Sequence, residues 1–239
     1  MPIPRLLFVY PHPDDESFLT GGTIARYALS GAAEVYLYTL TRGEASRNAE
    51  ILGITPNDIA ERREQEVLDA AAILGVRAVI QGKYPDGGLR DMDPRVLEKD
   101  IMQHVQRIDP DVLVTFDTQG ASVHPDHITV HHVVKRVYLE LRALHGRPCR
   151  LAFCGLPSDR IAAWPRKVFG FSARRIHAVL DVSAWQHVER AAVAAHRSVQ
   201  KDVEDHNYDE WMFWSEEYFS FFQEAFDPPL RDLLETLRQ

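Results

Sequence analysis

Two short stretches carry residue types that can do chemistry together. One is Pro11-His12-Pro13-Asp14-Asp15-Glu16; the other, far later in the chain, is His124-Pro125-Asp126-His127. Both contain His-Pro-Asp. Neutral imidazole and carboxylate together suit a divalent cation, zinc above all, at about 2.0–2.2 Å per ligand. His12 and Asp15 can turn toward one point, and His127 closes a three-ligand site whose fourth position stays open to water, the mark of a catalytic zinc. Adjacent residues of an extended loop point in different directions, so the two aspartates divide the work. Asp15 goes to the metal, and Asp14 becomes the general base toward a water whose pKa the cation lowers to about 7. His124, as a protonated imidazole, is placed to face the developing oxyanion or to protonate a departing amine, with Asp126 orienting it from behind. Each stretch alone has a purely structural reading, because an aspartate before a helix is usually a cap and His-Pro is an ordinary turn dipeptide. Two copies, each after a buried strand, favour the metal site.

For that site to exist, the two loops must meet, and the surrounding pattern says how. Arg5 to Tyr10 (RLLFVY) and Asp111 to Phe116 (DVLVTF) are continuous apolar runs, as expected of strands buried on both faces of a parallel sheet. Further strands are expected at Glu34 to Leu40, Ala78 to Gln81, Arg150 to Gly155 and Ala178 to Val182. Helices are expected at Phe18 to Ser30, Ile59 to Leu74, Pro94 to Arg107 behind an Asp93 cap, His127 to Leu144, and Trp185 to Val199. This alternation predicts an α/β fold: a doubly wound, mostly parallel, Rossmann-like sheet with helices on both faces, in which the first and fourth strands are neighbours. Residues 1–200 read as the α/β domain and 201–239 as an extension packing on it. Within Asp205 to Asp227, Trp211, Phe213, Trp214, Tyr218, Phe219, Phe221, Phe222 and Phe226 crowd together, which reads as an aromatic-rich appendage rather than a partner-binding surface. A dinucleotide site is disfavoured, since the first turn is rich in proline and aspartate where a pyrophosphate needs glycine.

Composition bounds the rest. A formal net charge of −8 argues against nucleic acid as a partner, and 45% hydrophobic with 26% charged residues is the balance of a chain that can bury a core. The apolar run Leu6 to Tyr10 is too short for a membrane span or a signal peptide, and Cys149 and Cys154 make no disulfide framework. A cytoplasmic protein with no membrane insertion is expected.

At these residues the chain resembles the LmbE-like, or PIG-L, family of zinc-dependent de-N-acetylases, which act largely on N-acetylglucosamine conjugates. Its H-P-D-D-E motif stands at His12 to Glu16 and its H-P-D-H at His124 to His127. Thr41-Arg42-Gly43-Glu44 is similar to the family's T-x-G-E, and Arg63 with Glu66 to its R-x-x-E helix. The resemblance implies His12, Asp15 and His127 as ligands, Asp14 as base, His124 at the oxyanion, Arg63 in contact with substrate and Asp86 as a sugar-binding aspartate. It implies Zn2+, with Fe2+ or another divalent metal as substitutes, a small amino-sugar substrate, and allows a homo-oligomer. Ser122 stands where some members have a tyrosine. The family's H-x-S-Q appears as His196-Arg197-Ser198-Val199-Gln200 with one residue extra, so His196 is left outside the expected site. Asn48 to Asn57 is uncovered and reads as an insertion shaping the pocket. Two rival readings are weighed. One is a non-haem iron oxygenase, which uses the same two-histidine, one-carboxylate triad; the other is a non-catalytic, metal-stabilised binding protein.

Overall fold

The computed structural model describes residues 2–161, 168–205 and 213–237. Its strands are β1 (Arg5–Tyr10), β2 (Glu34–Thr41), β3 (Ala78–Tyr84), β4 (Val112–Phe116), β5 (Arg150–Gly155), β6 (Ala178–Asp181) and β7 (Glu216–Phe221). The helices are α1 (Asp15–Leu29), α2 (Asn48–Leu52), α3 (Pro56–Leu74), α4 (Pro94–Ile108), α5 (Gly120–Val123), α6 (Pro125–His145), α7 (Gln186–Ala195) and α8 (Gln200–Asp205). The sheet order is β3-β2-β1-β4-β5-β7-β6, parallel from β3 to β5, with β7 antiparallel to both of its neighbours.

The uninterrupted apolar run of β1 serves two cores. Leu6, Phe8 and Tyr10 pack with Ile24 of α1, Val67 of α3 and Ala192 of α7, while Leu7 and Val9 pack with Leu97 of α4 and Val134 of α6. Each such side chain contributes about 1.5–3 kcal/mol by leaving water. The five residues from Leu6 to Tyr10 are all at 0% exposure, so the loop that follows leaves a fixed strand end. Local signals fix the helices. Thr55 accepts from the Asp58 amide at 3.2 Å and Asp58 from the Thr55 amide at 3.1 Å, a reciprocal cap for α3, and Gly75 closes that helix at φ 78°. Asp93 caps α4 as expected, accepting from the Arg95 amide at 3.1 Å.

Three differences from expectation bear on the site and its surroundings. The first helix begins at Asp15, so Asp15 and Glu16 lie in its first turn. The helix expected over Trp185 to Val199 stops at Ala195, and a 3-10 turn, Arg197–Val199, follows His196. The aromatic-rich tail does not lie on the sheet as an appendage; it supplies β7, an interior strand between β5 and β6. Alternation explains this, for Tyr218 and Phe219 face the two different cores. Trp211 lies outside the described residues.

Candidate active site

The sheet changes winding direction between β1 and β4, where a crevice opens beyond the strand ends. Both His-Pro-Asp loops leave there and meet across an open cleft of 580 Å³. His12 Nδ1 lies 3.2 Å from His127 Nε2 and 3.5 Å from Asp15 Oδ2, and His127 Nε2 lies 3.4 Å from Asp15 Oδ1. Bonds of about 2.0–2.1 Å directed to tetrahedral corners put ligand atoms about 3.3–3.4 Å apart. The two imidazole nitrogens fit that spacing, each beside a different Asp15 oxygen. Among the described residues, the groups whose single donor atoms all lie within 4.8 Å of one another are His12, His124 and His127, and His12, Asp86 and Asp126.

Their hydrogen bonds fit it too. His127 Nδ1 donates to the Gly120 carbonyl at 3.0 Å, which leaves the Nε2 lone pair facing inward. Gly120 sits at φ 57°, and a Cβ there would lie 2.4 Å from the His127 Cβ, so glycine is required. Phe116 stacks on the His127 ring at 4.1 Å. His12 Nε2 faces Asp86 Oδ1 at 3.0 Å and Asp126 Oδ2 at 3.3 Å, so its Nδ1 lone pair also points at the shared centre. Two imidazole nitrogens and a carboxylate converge on one point, an arrangement held together by a proton on His12 or, in its place, by a cation. The donor set therefore fits a divalent metal.

The electrostatics of Asp15 and His127 agree. Burial alone would raise Asp15, but the His127 and His12 imidazoles hold it down to about 2. Burial pushes His127 down to about 4, the neutral form a ligand needs. His12 is held well above its ordinary value because Asp126, Asp15 and Asp86 together outweigh its burial. That surplus of carboxylate is charge a metal would neutralise.

Asp14 is the residue before α1, yet its side chain makes no cap bond. It stands at φ 105°, left-handed backbone that costs a non-glycine residue about 1–2 kcal/mol, and turns its carboxylate toward Arg63 Nη2 at 2.9 Å. Burial raises Asp14 to about 6 even though Arg63 opposes it. Arg63 also donates to the Pro13 and Gly43 carbonyls and lines the cleft. The acid that Arg63 pairs with is the expected base.

His124 caps α6, its Nδ1 accepting from the Asp126 amide at 3.2 Å. That bond leaves the proton on Nε2, and burial followed by the His12 charge pushes the imidazole below its ordinary value. A neutral N–H donor replaces the expected cationic acid. Asp126 does not stand behind His124 as expected. Its fully buried carboxylate faces His12 instead and accepts from the Gly87 amide at 2.7 Å and the Leu89 amide at 3.1 Å. Successive residues of a helical turn project in different directions, so neighbours in sequence separate in space. Asp86, expected to bind sugar, is engaged at both oxygens: Oδ1 by His12 and Oδ2 by the Ala45 amide at 2.9 Å. Asn48 to Asn57 supplies α2 and the cap of α3, with Ser46 and Arg47 just before it at the cleft rim.

Sequence reasoning missed the groups beneath Asp14. Glu16 and His196 are both at 0% exposure, and His196 Nε2 lies 2.7 Å from Glu16 Oε1. Ser198 donates to Glu66 through its amide at 2.9 Å and its hydroxyl at 2.6 Å. The signal was the altered H-x-S-Q: the extra residue leaves His196 and Ser198 in place and moves only Gln200.

The model of the family described as PIG-L, GlcNAc-PI de-N-acetylase, matches residues 7–138. A 1D-myo-inositol 2-acetamido-2-deoxy-alpha-D-glucopyranoside deacetylase of Mycolicibacterium vanbaalenii is 32% identical over 81% of this chain and 80% of its own. Among solved structures, an N,N'-diacetylchitobiose deacetylase from Pyrococcus horikoshii superposes with a TM-score of 0.66 at 18% identity, covering 91% of this chain and 83% of that one. A 4-carboxy-2-hydroxymuconate hydratase from Pseudomonas putida superposes equally well, with a TM-score of 0.67 at 18% identity over 93% and 98% of the two chains. The sheet alone therefore does not choose the reaction. The family match over more than half of the chain and the relative matched over about four-fifths of both chains do choose a lineage, and by both the chain belongs to the PIG-L family of de-N-acetylases.

Proposed function

We propose that this chain is a zinc-dependent hydrolase that removes the acetyl group from an N-acetylglucosamine-type sugar or sugar conjugate, giving acetate and a free amine. One observation carries the reading: His12 Nδ1, His127 Nε2 and the Asp15 carboxylate converge at 3.2 to 3.5 Å with a second carboxylate, Asp14, beside them. A ligand trio alone serves many reactions. The additional base is what a hydrolase needs and an oxygenase does not.

The roles follow from the geometry. Bound zinc supplies Lewis acidity toward the amide carbonyl and lowers the pKa of a coordinated water. Asp14 takes a proton from the attacking water at its carboxylate, and Arg63 holds that carboxylate in place. His124 donates its Nε2–H to the carbonyl oxygen as negative charge develops there. When the C–N bond breaks, the proton held by Asp14 passes to the amine nitrogen. The relatives act on an inositol-linked and a chitobiose-type acetamido sugar by their names, so the substrate here is placed in the same class of acetamido sugars.

The test is metal analysis of purified protein followed by acetate and amine release across N-acetylglucosamine derivatives. One zinc per chain and stoichiometric acetate with amine are expected. Zinc-loaded protein that releases no acetate from any of them, or that instead hydrates an unsaturated acid, would overturn the reading.

A further inference from the structure

The buried groups beneath Asp14 have no part in the roles above, and their arrangement points to one. Asp14 is held in left-handed backbone, at φ 105°, which carries a steric cost for an L residue. Its amide donates to Glu16 Oε2 at 3.1 Å, and its carbonyl accepts from the amides of Ser17 and Phe18 at 3.0 and 3.2 Å. Glu16 is in turn fixed from below: Oε1 lies 2.6 Å from Ser17 Oγ and 2.7 Å from His196 Nε2. His196 is anchored independently of α1. Its carbonyl accepts from Gln200 Nε2 at 3.0 Å, and the turn that follows is tied to α3 through Ser198 and Glu66. His196 Nδ1 is buried with no hydrogen-bond partner among the described residues, so the ring's polar contacts run through Nε2, to Glu16 and to Ser17 Oγ at 3.3 Å.

We propose that Glu16 and His196 are positioning residues for the reaction: Glu16 clamps the Asp14 amide, and His196, held against Glu16 Oε1, keeps that clamp in place. The inference rests on Asp14 being the base of the proposed deacetylase. A side chain that caps its own helix would point its carboxylate back at the α1 amides. With the Asp14 amide taken by Glu16 and its side chain taken by Arg63, the carboxylate is left at the cleft wall beside Asp15. The clamp reaches Asp14 through its backbone and touches none of His12, Asp15 or His127 through the Glu16 side-chain bonds given above. Loss of the clamp should therefore leave metal binding and substrate binding in place and slow the turnover step.

The experiment uses the zinc-loaded full chain. Glu16→Ala should lower kcat for acetate release about 10- to 100-fold, the scale of an ångström-sized misplacement, with KM and zinc content within about twofold of wild type. His196→Ala should lower kcat less, and the double variant should be no slower than Glu16→Ala alone, since one residue works through the other. Glu16→Gln retains an oxygen for the Asp14 amide and should recover most of the loss. If Glu16→Ala does not fold, the same kcat-against-KM split is read from His196→Ala and Glu16→Gln. Additive losses, a fall in zinc content parallel to kcat, or wild-type turnover in Glu16→Ala would each overturn the clamp. Wild-type protein that releases no acetate would sink the deacetylase reading itself, a result separable from an active enzyme indifferent to Glu16.

Discussion

The two His-Pro-Asp loops are the same tripeptide at adjacent strand ends, yet their residues do opposite work. In the first, the histidine is the proposed ligand and the aspartate stands at φ 105° with its carboxylate at the cleft. In the second, the histidine caps a helix and turns an N–H to the cleft, while the aspartate is at 0% exposure and holds His12 and the turn over Gly87 to Leu89. Residue type chose the vocabulary of the site. Backbone conformation assigned the roles, because left-handed backbone turns Asp14 out of the helix while helical backbone carries Asp126 inward.

The contrast is broken most sharply by the aspartates. Asp14→Asn should lower kcat about 10²–10⁴-fold with zinc retained. Asp126→Asn should instead weaken zinc about 10–100-fold, with turnover restored at saturating metal. Zinc titration and acetate release on both variants check this, and exchanged phenotypes would mean that the loops have been assigned the wrong way round. The histidines sharpen it next. His124→Ala should lower kcat about 10²–10³-fold at full zinc occupancy, as loss of an oxyanion donor does, whereas His12→Ala should purify without metal.

The smallest effect concerns only the helix after the first loop. Glu217 accepts from the Gly22 and Thr23 amides of α1 at 2.8 and 3.1 Å, and Glu189 of α7 packs against Gly21. Burial pushes Glu217 up to about 7, and burial with the Glu217 charge pushes Glu189 up to about 9. Carboxyls raised in the fold hold protons that the unfolded chain has released, so their stabilisation is complete below the ordinary glutamate value of about 4.3 and is lost as pH rises through 7 and 9. Glu189→Gln should flatten that decline between pH 5 and 9 and raise Tm at pH 9 by roughly 2–4 °C for each kcal/mol recovered. An unchanged slope would show that this pair does not govern it.

Much of this was legible in the chain because the signals are local. The apolar runs before His12 and before His124 marked buried parallel strands, and the common strand order made them neighbours, which is enough to bring the loops together. What was not legible depends on contacts remote in sequence. Glu216 to Phe221 shows strand-like alternation, but nothing nearby says that it pairs between β5 and β6. Asp126 was read as the partner of His124 by adjacency, whereas its carboxylate meets a residue of the other loop. His196 was set aside over one inserted residue, although its partner, Glu16, lies within the most recognisable motif of the chain.

The position of β7 has a consequence for biosynthesis. Translation delivers β5 and β6 before β7, yet among the described residues β6 has no other named strand to pair with and β5 keeps its outer edge unpaired until β7 arrives. On the ribosome the parallel half, with both His-Pro-Asp loops, can assemble while the far edge waits for β7. During that interval an apolar strand edge is exposed to other nascent chains.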